Sequence, residues 1–571
     1  VPSRENPVDL ILAKCRASLW ASALFSCVIN VLMLTGPLFM LQVYDRVLSS
    51  RSIPTLVALF TLVCGLYLSL GLFDFIRSKV LSRVGYKLDV ELAGVTKRHW
   101  IIMGLDRGRP GSRPLSDLTA IRQFLGSNGL PALYDLPWIP VYISVVFLLH
   151  SSLGLFATGG AIVVILATMI GELTTKKPIT EGEAWSLKDV NFSESSNRSS
   201  DVIVAMGMVG PIVRHWEKIR HAGLANSQLA GGRSSFIASF VKAVRMLIQS
   251  GMLALGAYLA IRQEISPGTM IAASILAGRA LSPVDAAVGN WKNFVRARLA
   301  YRRLKTSLEH EEPELAPTEL PKPKGRVDVI KVTKLVGERK SGDLRTILNG
   351  LNFSLEPGDG LGVIGPSASG KSSLARLLVG LSIPDRGEVR LDGARFDQWD
   401  RDKLGEFIGF LPQTVELLVG TVAQNIARFG EDADDQDIVA AAKLAGVHTM
   451  ILKLPNGYET DFGKSGAILS GGQAQRIALA RAVYRKPSLI VLDEPNAHMD
   501  MEGDAALTRA ILELRDAGSC VVVMAHRPSA ISAVDKLLML RDGKQQEFGA
   551  KNDVLARATQ QAPQSQIRIV E

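Results

Sequence analysis

The sequence predicts a polytopic α-helical membrane domain joined to an α/β domain that faces water. Three observations predict it. Six apolar runs crowd the first half, a Pro/Glu/Lys-rich stretch interrupts the chain at 309–325, and β-branched runs then alternate with amphipathic helical segments. The averages conceal that division: 47% of the 571 residues are hydrophobic and mean hydropathy is +0.19, yet 21% are charged. Such a length exceeds one ordinary domain. The net charge of +10 comes with no Arg/Lys block interleaved with aromatics. The surplus is therefore assigned to basic loops beside membrane spans, and no nucleic-acid partner is expected. The four cysteines show no CxxC pair and no His at metal-ligand spacing. They read as small buried hydrophobes in a reducing compartment.

Spans long enough to cross a bilayer as helices are placed at 17–43, 53–76, 130–149, 153–173, 236–262 and 265–288, the last interrupted by Arg279 and Asp285. Six spans put both ends on one side. Between the second and third lie Arg77, Lys79, Arg83, Lys87, Lys97, Arg98, Arg107, Arg109, Arg113 and Arg122, against Asp89, Glu91, Asp106 and Asp117. That excess predicts a cytoplasmic segment, and with it cytoplasmic termini. The connection at 174–235 is also long and charged, so helices are expected to project into the cytosol. The third span opens on 135-DLPWIPVY-142, where Pro137 and Pro140 can start or bend a helix and Trp138 and Tyr142 suit an interface. Ionisable and polar groups inside a membrane are costly and hence functional candidates. Asp135, Arg279, Asp285, Tyr44, Asp45 and Arg46 are nominated, with interfacial anchoring or intersubunit pairing as the plainer alternative. The expected domains are 1–308, a linker at 309–325, an α/β domain at 326–554 and a flexible tail at 555–571.

Within the α/β domain, 360-GLGVIGPSASGKSS-373 places an apolar strand before Gly365-x4-Gly370-Lys371-Ser372 and a helix after it. This is a P-loop in its required context. Gly365, Pro366, Ser367, Ala368, Ser369, Gly370, Lys371, Ser372 and Ser373 form the predicted phosphate cradle of an ATP site. Lys371 would reach the β- and γ-phosphates and Ser372 would bind Mg2+. In 488-SLIVLDEP-495 an apolar strand ends at Asp493, placed to hold the Mg2+ shell, and Glu494 follows, placed to polarise a water. A third strand, 520-CVVVMAH-526, ends in His526. Finally, 469-LSGGQ-473 sets Ser470, Gly471, Gly472 and Gln473 at a helix start, a second anion-binding end that one γ-phosphate can use only if another copy approaches.

These residues resemble the ABC transporter ATPase family, whose signature reads LSGGQ, and the similarity spans 326–550. The resemblance implies that Gln413, in 411-LPQ-413, is the Q-loop glutamine that contacts Mg2+. It further implies that Glu494 is the catalytic base, His526 the switch histidine and Asp500 the end of the D-loop. Ser470 and Gly472 would touch ATP on the opposite subunit. Two departures stand out: Leu335 and Val336 occupy the place of the adenine-stacking aromatic, and the D-loop reads 497-AHMD-500, with His498. In the first half, 42-QVYDRVLSSRSIPTL-56, 135-DLPWIPVY-142 and 267-PGTMIAASILAGRALSPVD-285 resemble the permease-ATPases of type I secretion systems, closest to the protease-exporter branch. That likeness implies an ABC exporter fold and a half-transporter working as a homodimer in a bacterial inner membrane. It also implies cargo of unfolded polypeptide with an uncleaved C-terminal signal, a periplasmic membrane fusion (adaptor) protein and an outer-membrane channel. The first span begins within about 17 residues, so no N-terminal peptidase domain and no leader cleavage are expected. A lipid, drug or peptide exporter and a non-transporting ATP-gated regulator are the alternatives.

Overall fold

The computed structural model describes residues 6–104, 113–309, 320–336, 345–462, 469–497, 499, 501–525 and 531–560. The chain divides into two compact units, Val1–Glu312 and Pro313–Glu571. Among the described residues of the first, six helical segments are long and apolar enough to cross a membrane: Arg16–Ser50, Ile53–Met103, Gly129–Leu149, Ser151–Arg198, Val209–Ile261 and Pro267–Leu308. The number matches the expected spans, and the second, fourth, fifth and sixth helices run far beyond the apolar stretches, as expected of helices that project from the membrane. Their polar continuations stay helical because one face is still buried. Val84, Leu88 and Leu92 of the second pack with Leu118, Ile121 and Leu125, and with Ala300 and Leu304 of the sixth.

The fourth and fifth helices approach closely through small residues, the usual device where lipid removes the hydrophobic drive between helices. A methyl group at Gly160 would lie 2.5 Å from the Ile248 side chain, and one at Gly251 would lie 2.6 Å from the Phe156 ring.

The third span is broken at its start. Gly129–Asp135 is α-helical, Leu136–Trp138 tightens to a 3-10 turn, and Ile139–Leu149 resumes the α-helix. Pro137 and Pro140 supply no N–H, which suits a turn better than a continuous helix. Asp135 faces a polar cluster at this break. It accepts from Asn30 Nδ2 at 2.6 Å and pairs with Arg77 Nη1 at 3.5 Å. Arg77 also donates to Ser26 Oγ at 2.9 Å and to Asp74 at 2.7 Å, while the Tyr142 hydroxyl donates to the Asn30 carbonyl at 2.8 Å. Arg77, counted by sequence among the basic residues of the cytoplasmic segment, is buried and ties the first three spans together. Breaking one half of a buried pair strands the other charge, so Arg77→Met should destabilise this unit by about 3–5 kcal/mol. A double-mutant cycle with Asp135→Asn on unfolding in lipid checks it; independent effects of the two changes would contradict the pairing.

The other nominated groups divide. Asp45 lies on a π-helical turn, Val43–Val47, and accepts from Ser266 Oγ at 2.5 Å and Gly268 N at 2.9 Å, capping the sixth helix. Asp285 pairs with Arg245 at 3.0 Å. Tyr44, Arg46 and Arg279 are exposed.

Among the described residues, the second unit is built on a ten-stranded sheet: β1 (Val327–Val336), β2 (Arg345–Leu355), β3 (Gly360–Ile364), β4 (Arg386–Leu391), β5 (Ala394–Arg395), β6 (Ile408–Leu411), β7 (Leu489–Asp493), β8 (Cys520–Met524), β9 (Lys536–Arg541) and β10 (Lys544–Ala550). Their order is β5-β4-β1-β2-β10-β9-β3-β8-β7-β6. β1, β2, β4 and β5 pair antiparallel, whereas β9, β3, β8, β7 and β6 run parallel. The parallel strands are buried on both faces, as continuous apolar runs require. Leu489 and Val491 enter one core while Ile490 and Leu492 enter the other. The last helix, Lys551–Gln560, carries order past residue 555, where the sequence places a flexible tail. Buried Val554 anchors its first turn. The linker residues 310–319, the basic residues within 105–112 and the tail 561–571 lie outside the described residues.

Candidate functional site

Parallel pairing brings the carboxyl ends of four strands together, the place where open α/β sheets bind ligands. Met524, at the end of β8, sits in register with Val363 of β3 on one side and Asp493 of β7 on the other. Leu411, at the end of β6, pairs with Leu492. The loop after β3, the acidic pair after β7 and Gln413 after β6 therefore leave the same edge of the sheet. Gln413 is exposed there.

The loop at 365–370 is shaped by backbone that side chains would obstruct. A Cβ at Gly365 would collide with the Leu540 carbonyl oxygen, and Gly370 holds φ +100° at the start of the helix Lys371–Leu378. Ala368 adopts a left-handed φ of 64°. Pro366, Ser367 and Ala368 are exposed, Ser372 and Ser373 half-buried. Ser369 is buried, and its hydroxyl has no hydrogen-bond partner among the described residues. Lys371 is buried too, its ammonium donating to the Gly365 and Pro366 carbonyls at 2.9 and 3.0 Å. Burial pulls its pKa below the usual lysine value, and the negative charges of Glu494 and Asp493 oppose that shift. The three ionisable groups thus share one field.

Asp493 is buried at the strand end, and Glu494 turns the chain with a left-handed φ of 52°. That conformation costs a non-glycine residue about 1–2 kcal/mol and persists only where surroundings hold it. The Glu494 N–H donates to the Met524 carbonyl at 3.0 Å, and the Glu494 carbonyl accepts from Ala497 N at 3.3 Å. Hard oxygen donors from Ser372 and Asp493 suit Mg2+, which takes few protein ligands beside phosphate oxygens. Among the described residues no group of three or more His, Cys, Asp or Glu forms a ready-made metal cage.

Ser470 caps the helix Gly471–Val483. Its hydroxyl accepts from Gln473 N at 3.3 Å, and the Gln473 side chain accepts from Ser470 N at 2.9 Å, a reciprocal capping box. Ser470 and Gly471 are exposed, so this helix start is open to a ligand or partner. His526, His498 and Asp500 lie outside the described residues. Leu335 is held in β1 by its N–H to Asp385 at 2.9 Å, and Val336 beside it is 52% exposed.

Two residues that sequence reasoning missed brace this region. Arg428, itself at a left-handed φ of 57°, donates to the carbonyls of Gly405, Ile408, Arg481 and Ala482 at 2.7–3.0 Å. It pins the end of the Ser470-capped helix to β6, and burial pulls its pKa down to about 10. Gln475, two residues beyond the LSGGQ pentapeptide, reaches the backbone after β7. Neither carries a local signal, because both act on carbonyls distant in sequence.

Comparison with known proteins agrees with this geometry. The ABC transporter family model matches residues 348–497. The type I secretion system ATP-binding protein PrsD of Rhizobium meliloti (strain 1021) is 45% identical over 553 residues, covering 96% of this chain and 94% of that protein. The chain belongs to the type I secretion ABC transporters. It is therefore an ATP-binding, multi-pass membrane ATPase of a secretion system. More distant members include the cyclolysin secretion/processing ATP-binding protein CyaB of Bordetella pertussis, 28% identical over 95% of this chain and 77% of that protein. The leukotoxin translocation ATP-binding protein LktB of Mannheimia haemolytica is 29% identical with the same coverage. A bacterial Atm1-family ABC exporter with ATP bound matches in fold, with a TM-score of 0.78 over 97% of this chain and 100% of that one at 21% identity. The exporter fold expected of this type I secretion ABC transporter is thus the one observed.

Proposed function

We propose that this type I secretion ABC transporter works as a homodimer of half-transporters with both termini and the ATPase units in the cytoplasm. Driven by ATP, it exports unfolded polypeptides bearing a C-terminal signal across the inner membrane, in company with a periplasmic adaptor and an outer-membrane channel. The observation that carries this reading is identity to PrsD at 45% across 96% of the chain, membrane half included. The names of CyaB and LktB, which speak of secretion and translocation, point the same way.

In this reading the loop Gly365–Ser373 cradles the ATP phosphates with its N–H groups, and Lys371 supplies positive charge at the β- and γ-phosphates. Ser372, Asp493 and Gln413 would hold Mg2+, which when bound neutralises charge developing on the phosphate oxygens. Glu494 accepts a proton from water as its oxygen bonds to the γ-phosphorus and the bond to the ADP oxygen breaks. Ser470, Gly471, Gly472 and Gln473 contact ATP bound by the partner subunit, so that two nucleotides join two ATPase units. His526 and Asp500 take the switch and D-loop roles of the family.

Cargo class is testable with the chain reconstituted in lipid. C-terminal peptides of proteins secreted beside this transporter should change its ATPase rate at least about twofold, well outside assay scatter. A response to lipids or drugs alone would overturn the polypeptide reading.

A further inference from the structure

Glu494 holds a left-handed backbone, and something beyond the sheet has to maintain that turn. Gln475 occupies the second turn of the helix Gly471–Val483 and is buried, with 3% exposure. Its Nε2 donates to the Pro495 carbonyl at 2.5 Å and the Glu494 carbonyl at 3.2 Å. The N–H of Glu494 is already held by Met524 of β8. Both peptide units flanking the Glu494 Cα are thus anchored, one to the sheet and one to the helix that Ser470 caps. An amide side chain is required here: it offers two N–H donors where two backbone carbonyls converge, and a buried carbonyl deprived of its donor is costly.

Ser470, the N-cap, lies five positions before Gln475 on one continuous helix, which moves as a rigid element. We propose that Gln475 is a positioning residue that transmits engagement of Ser470 with the partner's ATP to the backbone of Glu494, coupling hydrolysis at one site to occupancy of the other. This rests on the two-site reading above. Ser470 touches nucleotide held by the partner's loop, whereas Glu494 of the same chain acts on nucleotide held by its own. Gln475 links the two through the helix backbone and its hydrogen bonds to the Glu494 and Pro495 carbonyls.

The test uses the full chain in lipid with Gln475→Met, which keeps the volume and removes both donors, and Gln475→Glu. For Gln475→Met, kcat should fall about tenfold or more with KM for ATP within about twofold, because positioning of the base is lost and ground-state binding is kept. The Hill coefficient for ATP should drop toward unity. In Gln475→Glu only the protonated side chain can donate, so its activity relative to wild type should rise as pH falls from about 8 to about 6. A purely packing role would leave that ratio flat. A Gln475→Met enzyme with kcat within about twofold of wild type would overturn the positioning role. An unchanged Hill coefficient would overturn the coupling. Should Gln475→Met fail to fold, a flat pH ratio for Gln475→Glu decides against the proposal. Glu494→Gln serves as the control: if that variant still turns over, the assignment of the base fails, and not this coupling alone.

Discussion

Glu494→Gln should abolish steady-state ATP turnover, lowering it by about two to four orders of magnitude, the usual contribution of a positioned general base. The amide preserves the size of the side chain and leaves the left-handed turn, the Met524 contact and the Gln475 contact in place. What it removes is the capacity to take a proton from the attacking water. ATP should therefore bind with near-normal affinity and stay trapped between the two ATPase units of the dimer, visible as unhydrolysed nucleotide that remains bound after free ATP is removed by gel filtration. Phosphate release at the wild-type rate would show that another group is the base.

Lys371→Met is expected to act earlier, on binding. A methionine fills the buried volume of the stem but brings neither charge nor donor. Each hydrogen bond to a charged group contributes about 1.5–3 kcal/mol, so ATP affinity should fall by about one to two orders of magnitude. Lys371→Arg should not restore it. The ammonium sits buried between the Gly365 and Pro366 carbonyls, and a planar fork with five donors cannot take the place of a compact charge there. Equilibrium binding of a fluorescent ATP analogue distinguishes the cases: wild-type affinity in Lys371→Met would remove this residue from the phosphate site.

The two substitutions separate binding from chemistry, and they draw on features of very different legibility. The P-loop was readable because its shape is written within ten consecutive residues: a strand, glycines at the turn, then a helix. The capping box at Ser470 and Gln473 is local in the same way. Asp493 and Glu494 follow an apolar strand whose end is evident from composition. The network behind them was not readable. Gln475 and Arg428 act by donating to backbone carbonyls, and any residue can present a carbonyl, so no side-chain pattern announces the partner.

In the membrane half the apolar runs located the spans and the long charged connections signalled helices projecting beyond them, but hydropathy measures contact with lipid and does not say which charges are buried. Arg77 illustrates that limit. By sequence it opens a basic segment; in the fold it pairs with Asp74 and Asp135 and touches Ser26. Asp45 was nominated for the transport path, yet its carboxylate caps a helix 223 residues away. Tyr142 in the DLPWIPVY segment is held by Asn30, 112 residues distant.

By itself, the sequence determined the six-span membrane half, the α/β ATPase half, and within it the glycine-rich turn at 365–370, the acidic pair at a strand end and the helix start at Ser470. These depend on periodicity and on backbone geometry confined to one turn or one strand. Only the tertiary structure decided which intramembrane charges are paired, how far the helices extend, and which side chains hold Glu494 in its strained turn. Those depend on desolvation and hydrogen bonding between segments that become neighbours only once the chain has folded.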